Sequence, residues 1–597
     1  MSDSLPALLT LSYLRDSYDS GLLSPRKLID ALIARIESEP ESERIWISRF
    51  SHEILDRFAA ELERTGSKGK PLFGVPFAIK DNIDLDGLPT TAACPDFVYE
   101  PSDSATVVEK LIAAGAIPIG KTNLDQFATG LVGTRSPYGI PENAVVPGYI
   151  PGGSSSGSAI SLARGQVAFS LGTDTAGSGR VPAALNGLVG LKPSCGRLST
   201  RGVVPACRTL DCVSIFANRS ADAEAVLAVA EGYDSSDPYS RAGFPEDAAF
   251  TESFRFGVPR DEDLEWFGDD LGPGLFEESI LRAESLGGIP VSVSLAPFLE
   301  AARLLYEGPW VSERYLAVED LITSSPEALH PVTREIISGG SAPKAIEAFR
   351  AIYQLAELKR RADEVWDRVD CILTPTVARA YTIEELAEDP IQLNSNMGYY
   401  TNFMNLLDYC ALAVPSGKFG SGVPFGITAF APAGRDRWLL NWGKRFETGE
   451  ITTCCPADWI EIAVCGAHLE GLPLNFQLTD RAAIKVRQTR TAPYYQGFVI
   501  PEVDGLPPRP GLIRSDSKGG SIEVEVWALS PSGFGEFVSQ IPSPLGIGKL
   551  ELEDGREVSG FICETLAVEG AEEFTELGGW RAWVRNSHTK AQRHEGV

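Results

Sequence analysis

Two hydrophobic periods alternate along the first part of the chain. Residues 24–38 carry an apolar stripe at helical spacing and begin with a Ser-Pro pair, which suits a helix start. Residues 72–80 form an apolar run that ends in a lysine and predicts a strand. Residues 104–114 predict a helix, 116–120 a buried strand, and 158–171 a small-residue helix that runs into another strand. This alternation predicts an α/β sheet with helical layers.

The pattern changes near residue 450. Residues 447–459 have no clear period and predict a linker, and beyond them short β-like runs are separated by turn residues. These runs cover 460–466, 521–530, 548–555 and 556–564. We therefore expect a first domain over 1–448, a linker over 449–459 and a smaller α+β domain over 460–597.

Composition adds that the protein is acidic and globular. It has 597 residues, 43% of them hydrophobic and 22% charged, so it can bury more than one core. The formal net charge of −28 and the pI of about 4.7 argue against a nucleic-acid partner and against adsorption to anionic membranes. A small anionic substrate is still compatible with this surface, because one buried arginine can set the local field.

The cysteines and the N-terminus bear on the cellular compartment. Ten cysteines are scattered without a CxxC pair, and the adjacent Cys454 and Cys455 make a poor framework for disulfides. This usage indicates reduced thiols in a cytoplasmic protein. The N-terminus lacks a basic segment followed by an apolar one, and no run of 18 apolar residues occurs, so we expect neither export nor a membrane span.

The segment 151–193 is rich in Gly and Ser, which lets backbone N–H groups approach a ligand closely. One interpretation is a phosphate-binding loop, but no lysine follows the glycines as that loop requires. Another is an α/β-hydrolase elbow centred on Ser155, which needs a histidine base. The chain has no histidine between residues 53 and 329, although His330 or His468 could fold back.

A third interpretation is a serine nucleophile activated by a lysine. Burial lowers the pKa of a lysine and can keep it neutral, so that it serves as a base. Lys80 ends an apolar strand and is a candidate. Lys110 and Lys121 lie in helix and loop contexts that predict solvated side chains, and Lys192 is a further candidate.

Three sequence blocks resemble the amidase signature family. They are GVPFAIKDNID (74–84), PGGSSSGSA (151–159) and GTDTAGSGRVPAALNGLVGLKP (172–193), within a similarity that extends over roughly residues 20–445. The resemblance implies an amidase-signature mixed sheet layered by helices, with no metal and no cofactor. Two blocks depart from the family pattern, because GGSSSGS replaces GGSSGGS and AGS replaces GGS. Both replacements are small, so we expect the loop to survive.

The resemblance also implies a role for each matching position. Ser178 matches the nucleophile, Ser154 the bridging serine that a cis peptide holds, and Lys80 the base. The backbone N–H groups of the oxyanion hole match those of Thr175, Ala176, Gly177 and Ser178. Neutral Lys80 would take the Ser178 proton through Ser154, and water would then hydrolyse the acyl-enzyme. Asp174 and Arg180 flank the nucleophile and predict an ion pair that holds the loop.

Further stretches resemble the allophanate hydrolase family. They lie at 121–139, 208–217, 463–478, 489–500 and 524–564. The C-terminal ones resemble that family's accessory domain, which is similar to γ-glutamylcyclotransferase folds. The resemblance implies hydrolysis of allophanate (urea-1-carboxylate), a small anionic amide, to ammonia and CO2 in urea degradation. It also suggests functional coupling to a urea carboxylase, and we expect a homodimer.

Three more residues are candidates for binding or for a second site. Tyr306 and Arg314 match the family's pair for the substrate carboxylate. On one continuous helix they would lie about 80° apart around the axis and two turns apart along it, within reach of one pocket. The alternative is a packed tyrosine and a solvated arginine. His468 is a candidate for a second site that acts on the carboxylated intermediate, although a lone histidine near a strand end is more often structural.

Other functions stay open at this point. A general amidase, or a glutamine amidotransferase-like subunit that acts on another small amide, would use the same triad. Neither function explains the C-terminal domain, whose other roles would be oligomerisation or contact with a urea carboxylase. A catalytically silent scaffold would have no need to keep Lys80, Ser154 and Ser178.

Overall fold

The structure is a computed structural model. It describes residues 5–244, 250–251, 253–450, 459–501, 508–515 and 518–594. Two compact units result, and the larger contains the described residues 5–244 and 253–450 while the smaller contains those from 459 onward. The expected linker and the pair Cys454–Cys455 fall on residues outside the described ones, so the domain boundaries stay a prediction. The cysteines that are described all carry free thiols.

A mixed sheet of eleven described strands organises the larger unit. In chain order these strands are β1 (Trp46–Arg49), β2 (Pro76–Lys80), β3 (Ile117–Thr122), β4 (Phe169–Asp174), β5 (Val189–Lys192), β6 (Cys212–Ala217), β7 (Phe254–Pro259), β8 (Gly288–Val293), β9 (Cys371–Pro375), β10 (Tyr409–Lys418) and β11 (Pro424–Pro432). Their order across the sheet is β1-β3-β2-β4-β6-β5-β10-β11-β9-β7-β8. Strand β2 pairs in parallel with β3 and β4, and β7 does so with β8 and β9, whereas the other pairs are antiparallel.

Helices pack against this sheet, for example on β4 and β6. In chain order they are α1 (Leu11–Asp19), α2 (Pro25–Ser38), α3 (Ser42–Ile45), α4 (His52–Thr65), α5 (Thr106–Ala113), α6 (Ser156–Ala163), α7 (Val181–Leu185), α8 (Ser220–Ala230), α9 (Gly272–Ser285), α10 (Ala296–Glu307), α11 (Val311–Leu316), α12 (Glu319–Ser324), α13 (Pro331–Ser338), α14 (Ala345–Asp363), α15 (Ile383–Glu388), α16 (Gln392–Met397), α17 (Phe403–Leu406) and α18 (Asp436–Thr448). The mixed sheet with helical layers confirms the predicted α/β fold class.

The central strands form the core of the larger unit. Every residue of β2, β3, β4 and β6 is buried, as is typical of strands covered on both faces. Phe77 on β2 and Phe169 on β4 are register partners and stack with ring centroids 5.0 Å apart. This packing fixes β2 and β4 side by side, and both strands lead directly into the candidate site.

The smaller unit is built from two described sheets. Its strands are β12 (Ile460–Val464), β13 (Ile484–Arg490), β14 (Tyr495–Ile500), β15 (Arg509–Arg514), β16 (Glu523–Leu529), β17 (Leu545–Glu551), β18 (Glu557–Cys563) and β19 (Glu572–Glu573), and its helices are α19 (Phe476–Thr479), α20 (Pro531–Ser539) and α21 (Trp580–His594). The sheets have the orders β13-β16-β12-β18-β17 and β15-β14-β19. The four β-like runs predicted from sequence are β12, β16, β17 and β18. Among the helices described in either unit, none is long and apolar enough to cross a membrane.

Candidate active site

Lys80, Ser154 and Ser178 form one hydrogen-bonded chain inside the larger unit. Lys80 Nζ donates to Ser154 Oγ at 2.8 Å, and Ser154 Oγ donates to Ser178 Oγ at 2.9 Å. Lys80 and Ser154 are fully buried, and Ser178 is 3% exposed. The structure therefore brings together the three residues that the motifs singled out, although they are far apart along the chain.

Two neighbouring parallel strands deliver the lysine and the serine to one edge of the sheet. Lys80 is the last residue of β2, and its parallel partner β4 ends at Asp174, just before the loop that carries Ser178. Parallel strands place their carboxyl ends at the same edge, which is where open α/β sheets bind ligands. The bridging serine comes from the turn before α6, where the Gly153–Ser154 peptide bond is cis.

Burial sets the protonation of the lysine. It lowers the pKa of Lys80 to about 7, although the carboxylates of Asp125, Asp211 and Asp174 oppose this shift. The second hydrogen bond of Lys80 Nζ goes to Thr173 Oγ1 at 2.7 Å. A neutral amine keeps a lone pair while it donates to Thr173, so the lone pair can face the bridging serine. The side chain is thus placed and tuned to act as a base near neutral pH.

The loop after β4 offers backbone donors beside the nucleophile. The N–H groups of Thr175, Ala176 and Ser178 have no acceptor within the described part of the chain. The N–H of Gly177, by contrast, donates to Asp174 Oδ1 at 2.9 Å. Three of the four predicted oxyanion donors therefore face no protein acceptor, and the fourth fixes the loop.

An ion pair braces this loop on both sides of Ser178. Arg180 donates from Nε to Asp174 Oδ2 and from its second terminal nitrogen to Oδ1, each at 2.9 Å, and both side chains are fully buried. The N–H of Gly179 adds a bond to Asp174 Oδ2 at 3.0 Å. Burial raises the pKa of Asp174, but Arg180 outweighs it and holds that pKa below its usual value. The ion pair expected from the sequence is present.

Tyr306 and Arg314 lie on two helices rather than on one. The expectation of a continuous helix is wrong, because α10 and α11 are separated at Gly308-Pro309, and proline has no N–H to continue the ladder. The two side chains still meet: Arg314 donates to the Tyr306 hydroxyl at 3.4 Å, and its guanidinium lies 5.4 Å from the ring centroid. Arg314 is 2% exposed, which contradicts the alternative of a solvated arginine.

Arg314 also contacts the loop that touches the nucleophile. Its guanidinium donates to the Ala128 carbonyl at 3.3 Å and to Thr129 Oγ1 at 3.1 Å. The next residue, Gly130, accepts a hydrogen bond from Ser178 Oγ at 3.4 Å. Arg314 Nε is buried and has no acceptor among the residues described. A buried guanidinium with a spare donor suits an anionic ligand beside the nucleophile.

Sequence reasoning missed Asp125, which shapes the same loop. Its Oδ2 accepts from the N–H groups of Val132 at 3.1 Å and Gly133 at 2.9 Å, and its Oδ1 from that of Arg135 at 2.9 Å. Gly133 has φ +78°, and a Cβ there would lie 2.7 Å from the Gly152 carbonyl oxygen. An aspartate shortly before a Gly-rich turn was the available signal.

Asp211 is a second carboxylate that the sequence analysis did not single out. It accepts hydrogen bonds from the Thr175 hydroxyl, from the N–H of Ala206 at 2.8 Å, and from the N–H of Cys207. Burial raises the pKa of Asp211 to about 6. Because Thr175 carries one of the free backbone donors, Asp211 anchors the oxyanion loop from outside.

The competing candidates have other partners. Lys121 is fully buried in an ion pair with Asp81 at 3.1 Å, so the expectation of a solvated side chain is wrong for it. Lys110 and Lys192 donate to backbone carbonyls. Ser155 Oγ also donates to a backbone carbonyl, at 3.3 Å, and no described histidine hydrogen-bonds to it, so an α/β-hydrolase elbow has no support here.

His468 lies in the smaller unit among apolar neighbours. Its Nε2 pairs with Gln477 Oε1 at 2.9 Å, and its ring stacks on Phe561 and meets the edge of Phe537. Burial lowers the pKa of His468, so the ring is neutral at pH 7. These contacts describe a packed side chain with one polar partner.

Known proteins resemble both parts of the chain. The amidase family profile matches residues 27–440, and the profile of the allophanate hydrolase C-terminal domain matches residues 460–585. Urea amidolyase of Saccharomyces cerevisiae is 42% identical over 589 residues, which make up 93% of this chain and 32% of that protein. The chain thus spans about a third of the length of this relative.

Two further similarities differ in coverage. The solved structure of Kluyveromyces lactis allophanate hydrolase has a TM-score of 0.83 and 39% identity, over 97% of this chain and 100% of that one. A glutamyl-tRNA(Gln) amidotransferase subunit of Chloroflexus aurantiacus is 33% identical over 475 residues, which are 74% of this chain and 96% of that protein.

Proposed function

The chain belongs to the amidase family and carries an allophanate hydrolase C-terminal domain, as its sequence blocks predicted, and on this premise we propose that it hydrolyses allophanate. One observation carries the proposal. The hydrogen-bonded chain of Lys80, Ser154 and Ser178 lies beside Arg314, a buried cation with a free Nε. The first feature suits amide hydrolysis, and the second suits a substrate that bears a carboxylate.

In the proposed reaction Lys80 is neutral and the two hydrogen bonds of the chain reverse direction. Ser178 Oγ attacks the urea carbonyl carbon while its proton moves to Ser154 and the Ser154 proton moves to Lys80 Nζ. The relay then returns a proton to the leaving nitrogen, the C–N bond breaks, and ammonia departs. Water hydrolyses the acyl-enzyme by the same route and releases N-carboxycarbamate, which loses CO2.

The oxyanion that forms in each step needs donors that are already in place. We assign this role to the N–H groups of Thr175, Ala176 and Ser178, which have no acceptor among the described residues. Loss of one such donor typically costs about 2.7–4 kcal/mol of transition-state stabilisation. The Gly177 N–H contributes indirectly, because its bond to Asp174 holds the loop in shape.

Arg314 and Tyr306 would bind the substrate carboxylate. A buried cation is costly unless a charge or hydrogen bonds compensate it. Arg314 forms no ion pair in the described part of the chain, and Tyr306 covers one face of its guanidinium. A carboxylate from the substrate would supply the missing counter-charge and form charge-assisted hydrogen bonds.

The alternative is a general amidase or an amidotransferase-like subunit. The same triad serves both, and the similarity to an amidotransferase subunit extends over 74% of the chain. The C-terminal match at 460–585 and the 97% coverage by an allophanate hydrolase favour our proposal. Because the chain spans about a third of a urea amidolyase, we further propose that a urea carboxylase supplies its substrate. The homodimer and the cytoplasmic location stay predictions.

The test is ammonia release from allophanate, beside acetamide and malonamide. Ser178→Ala should abolish turnover, whereas Ser155→Ala, which removes a neighbouring hydroxyl outside the relay, should retain most of it. Turnover of simple amides without allophanate would leave the triad in place and overturn the substrate. Full activity of Ser178→Ala would overturn the nucleophile. No turnover of any amide would favour the scaffold.

A further inference from the structure

A cavity of about 750 Å³ adjoins the proposed carboxylate site. Tyr306 on α10 lines it, together with Arg350 on α14 and Asn394 on α16. Because Tyr306 also contacts Arg314, a molecule in this cavity lies next to the buried guanidinium. The cavity is therefore the space from which a substrate meets the carboxylate site.

Asn394 has its amide oriented by a backbone group. It is 7% exposed, and its Oδ1 accepts a hydrogen bond from the Leu131 N–H at 2.8 Å. Since a backbone N–H can only donate, this bond identifies the oxygen and turns Nδ2 to the other side. Nδ2 has no acceptor among the described residues, while Asn394 lines the cavity. An amide donor thus faces the cavity without a partner.

One peptide group connects Asn394 with the nucleophile. The Leu131 N–H belongs to the same peptide unit as the Gly130 carbonyl, which accepts from Ser178 Oγ at 3.4 Å. From standard peptide dimensions, Asn394 Oδ1 lies within about 9 Å of Ser178 Oγ. Arg135 reinforces the arrangement, because it donates to the carbonyls of Thr129 and Pro390 at 2.8 Å each and so ties the start of α16 to this loop.

We propose that Asn394 is a specificity-determining residue whose Nδ2 donates to the carboxylate of the substrate, beside Arg314. The inference rests on the proposed function in one respect, namely that the substrate bears a carboxylate close to the scissile carbonyl. In allophanate only one nitrogen separates these two groups, which fits the short path from Ser178 to Asn394. A neutral donor next to a cation favours a carboxylate over an uncharged amide, because carboxylates are stronger acceptors.

The variant Asn394→Asp tests the donor without removing the loop anchor. A carboxylate still accepts from the Leu131 N–H, but it presents a second oxygen where Nδ2 stood. We compare malonamate, which carries a carboxylate, with neutral malonamide at pH 8. The expected result is a kcat/KM for malonamate lowered about 10- to 100-fold, mainly through KM. The value for malonamide and the rate of Ser178 labelling by a fluorophosphonate should stay close to wild type.

Ser395→Asp is the matched control, because Ser395 lines the same cavity and is exposed, so it adds the same charge without touching the donor. An equal loss for malonamate in Ser395→Asp, or an equal loss for both substrates in Asn394→Asp, overturns the inference.

Calorimetric titration with malonate separates this inference from the proposed function, since it needs no turnover. Wild-type binding that weakens in Asn394→Asp supports the donor even if allophanate proves not to be hydrolysed. Equal affinity, or no binding in either protein, overturns it.

Discussion

The pKa of Lys80 decides at which pH the proposed relay works. Burial lowers this pKa from 10.5 to about 7, which corresponds to about 5 kcal/mol against the ammonium form at 1.36 kcal/mol per unit. At pH 7 about half of the molecules then hold a neutral lysine, whereas an unshifted lysine would be neutral in fewer than about one molecule in a thousand. The rate of serine activation should therefore rise about tenfold per pH unit below pH 7 and level off above it.

The assay is the rate constant for labelling of Ser178 by a fluorophosphonate, followed by intact mass from pH 5 to 10. Labelling needs no amide substrate, so the profile reports the free enzyme and holds whichever amide is the substrate. Lys80→Ala should label slowly and without an inflection near pH 7, and Ser178→Ala should not label. An inflection near pH 10, or a wild-type rate that ignores pH, would refute the reasoning, because a lysine charged at neutral pH cannot be the base.

Three further predictions concern single substitutions. Ser154→Ala interrupts the relay and should lower kcat by about 10²- to 10⁴-fold with little change in KM, measured by ammonia release. Arg314→Met removes the buried cation at similar volume and should lower kcat/KM for allophanate about 10- to 100-fold more than that for malonamide. Asp174→Asn leaves Arg180 buried without its counter-charge and should cost about 3–5 kcal/mol of folding free energy, seen as a lower urea midpoint.

Each of these predictions has its own contradiction. An unchanged kcat in Ser154→Ala would mean that Lys80 is not reached through this hydroxyl, and Ser155→Ala controls for the loss of a serine from the loop. Equal losses for both substrates in Arg314→Met would point to a packing role. An unchanged urea midpoint in Asp174→Asn would show that the ion pair does not brace the folded chain.

Local patterns predicted those parts of the fold whose signal is confined to one stretch. The apolar stripe and the Ser-Pro start anticipated α2, and the Ser24 hydroxyl does accept from the Lys27 N–H at the N-cap. The apolar run ending in Lys80 anticipated β2. The strand order β3-β2-β4 had no such signal, because neighbours in a sheet need not be neighbours in sequence. The spatial meeting of Lys80 with Ser178 follows from that order.

Long-range partners explain what the sequence analysis missed. Asp125 and Asp211 act through backbone N–H groups, which are the same in every residue and leave no trace in composition. Lys121 is buried because Asp81 follows the neighbouring strand β2, and no periodicity reveals that pairing. The break between α10 and α11 did have a signal, since Gly308-Pro309 is a helix-breaking pair, and a helical extrapolation through it was unjustified.

The pairing of β2 with β4 separates what breaks the bond from what selects the molecule. Lys80 and Ser178 are held by central strands, whose separation of about 4.8 Å is common to all sheets. Tyr306 lies on α10, Arg314 on α11 and Asn394 on α16, outside the sheet. Mutations in these helices can therefore redirect the chain toward another amide while the hydrolytic apparatus is inherited unchanged. Laboratory evolution for new substrates should begin in the helices and leave the strands alone.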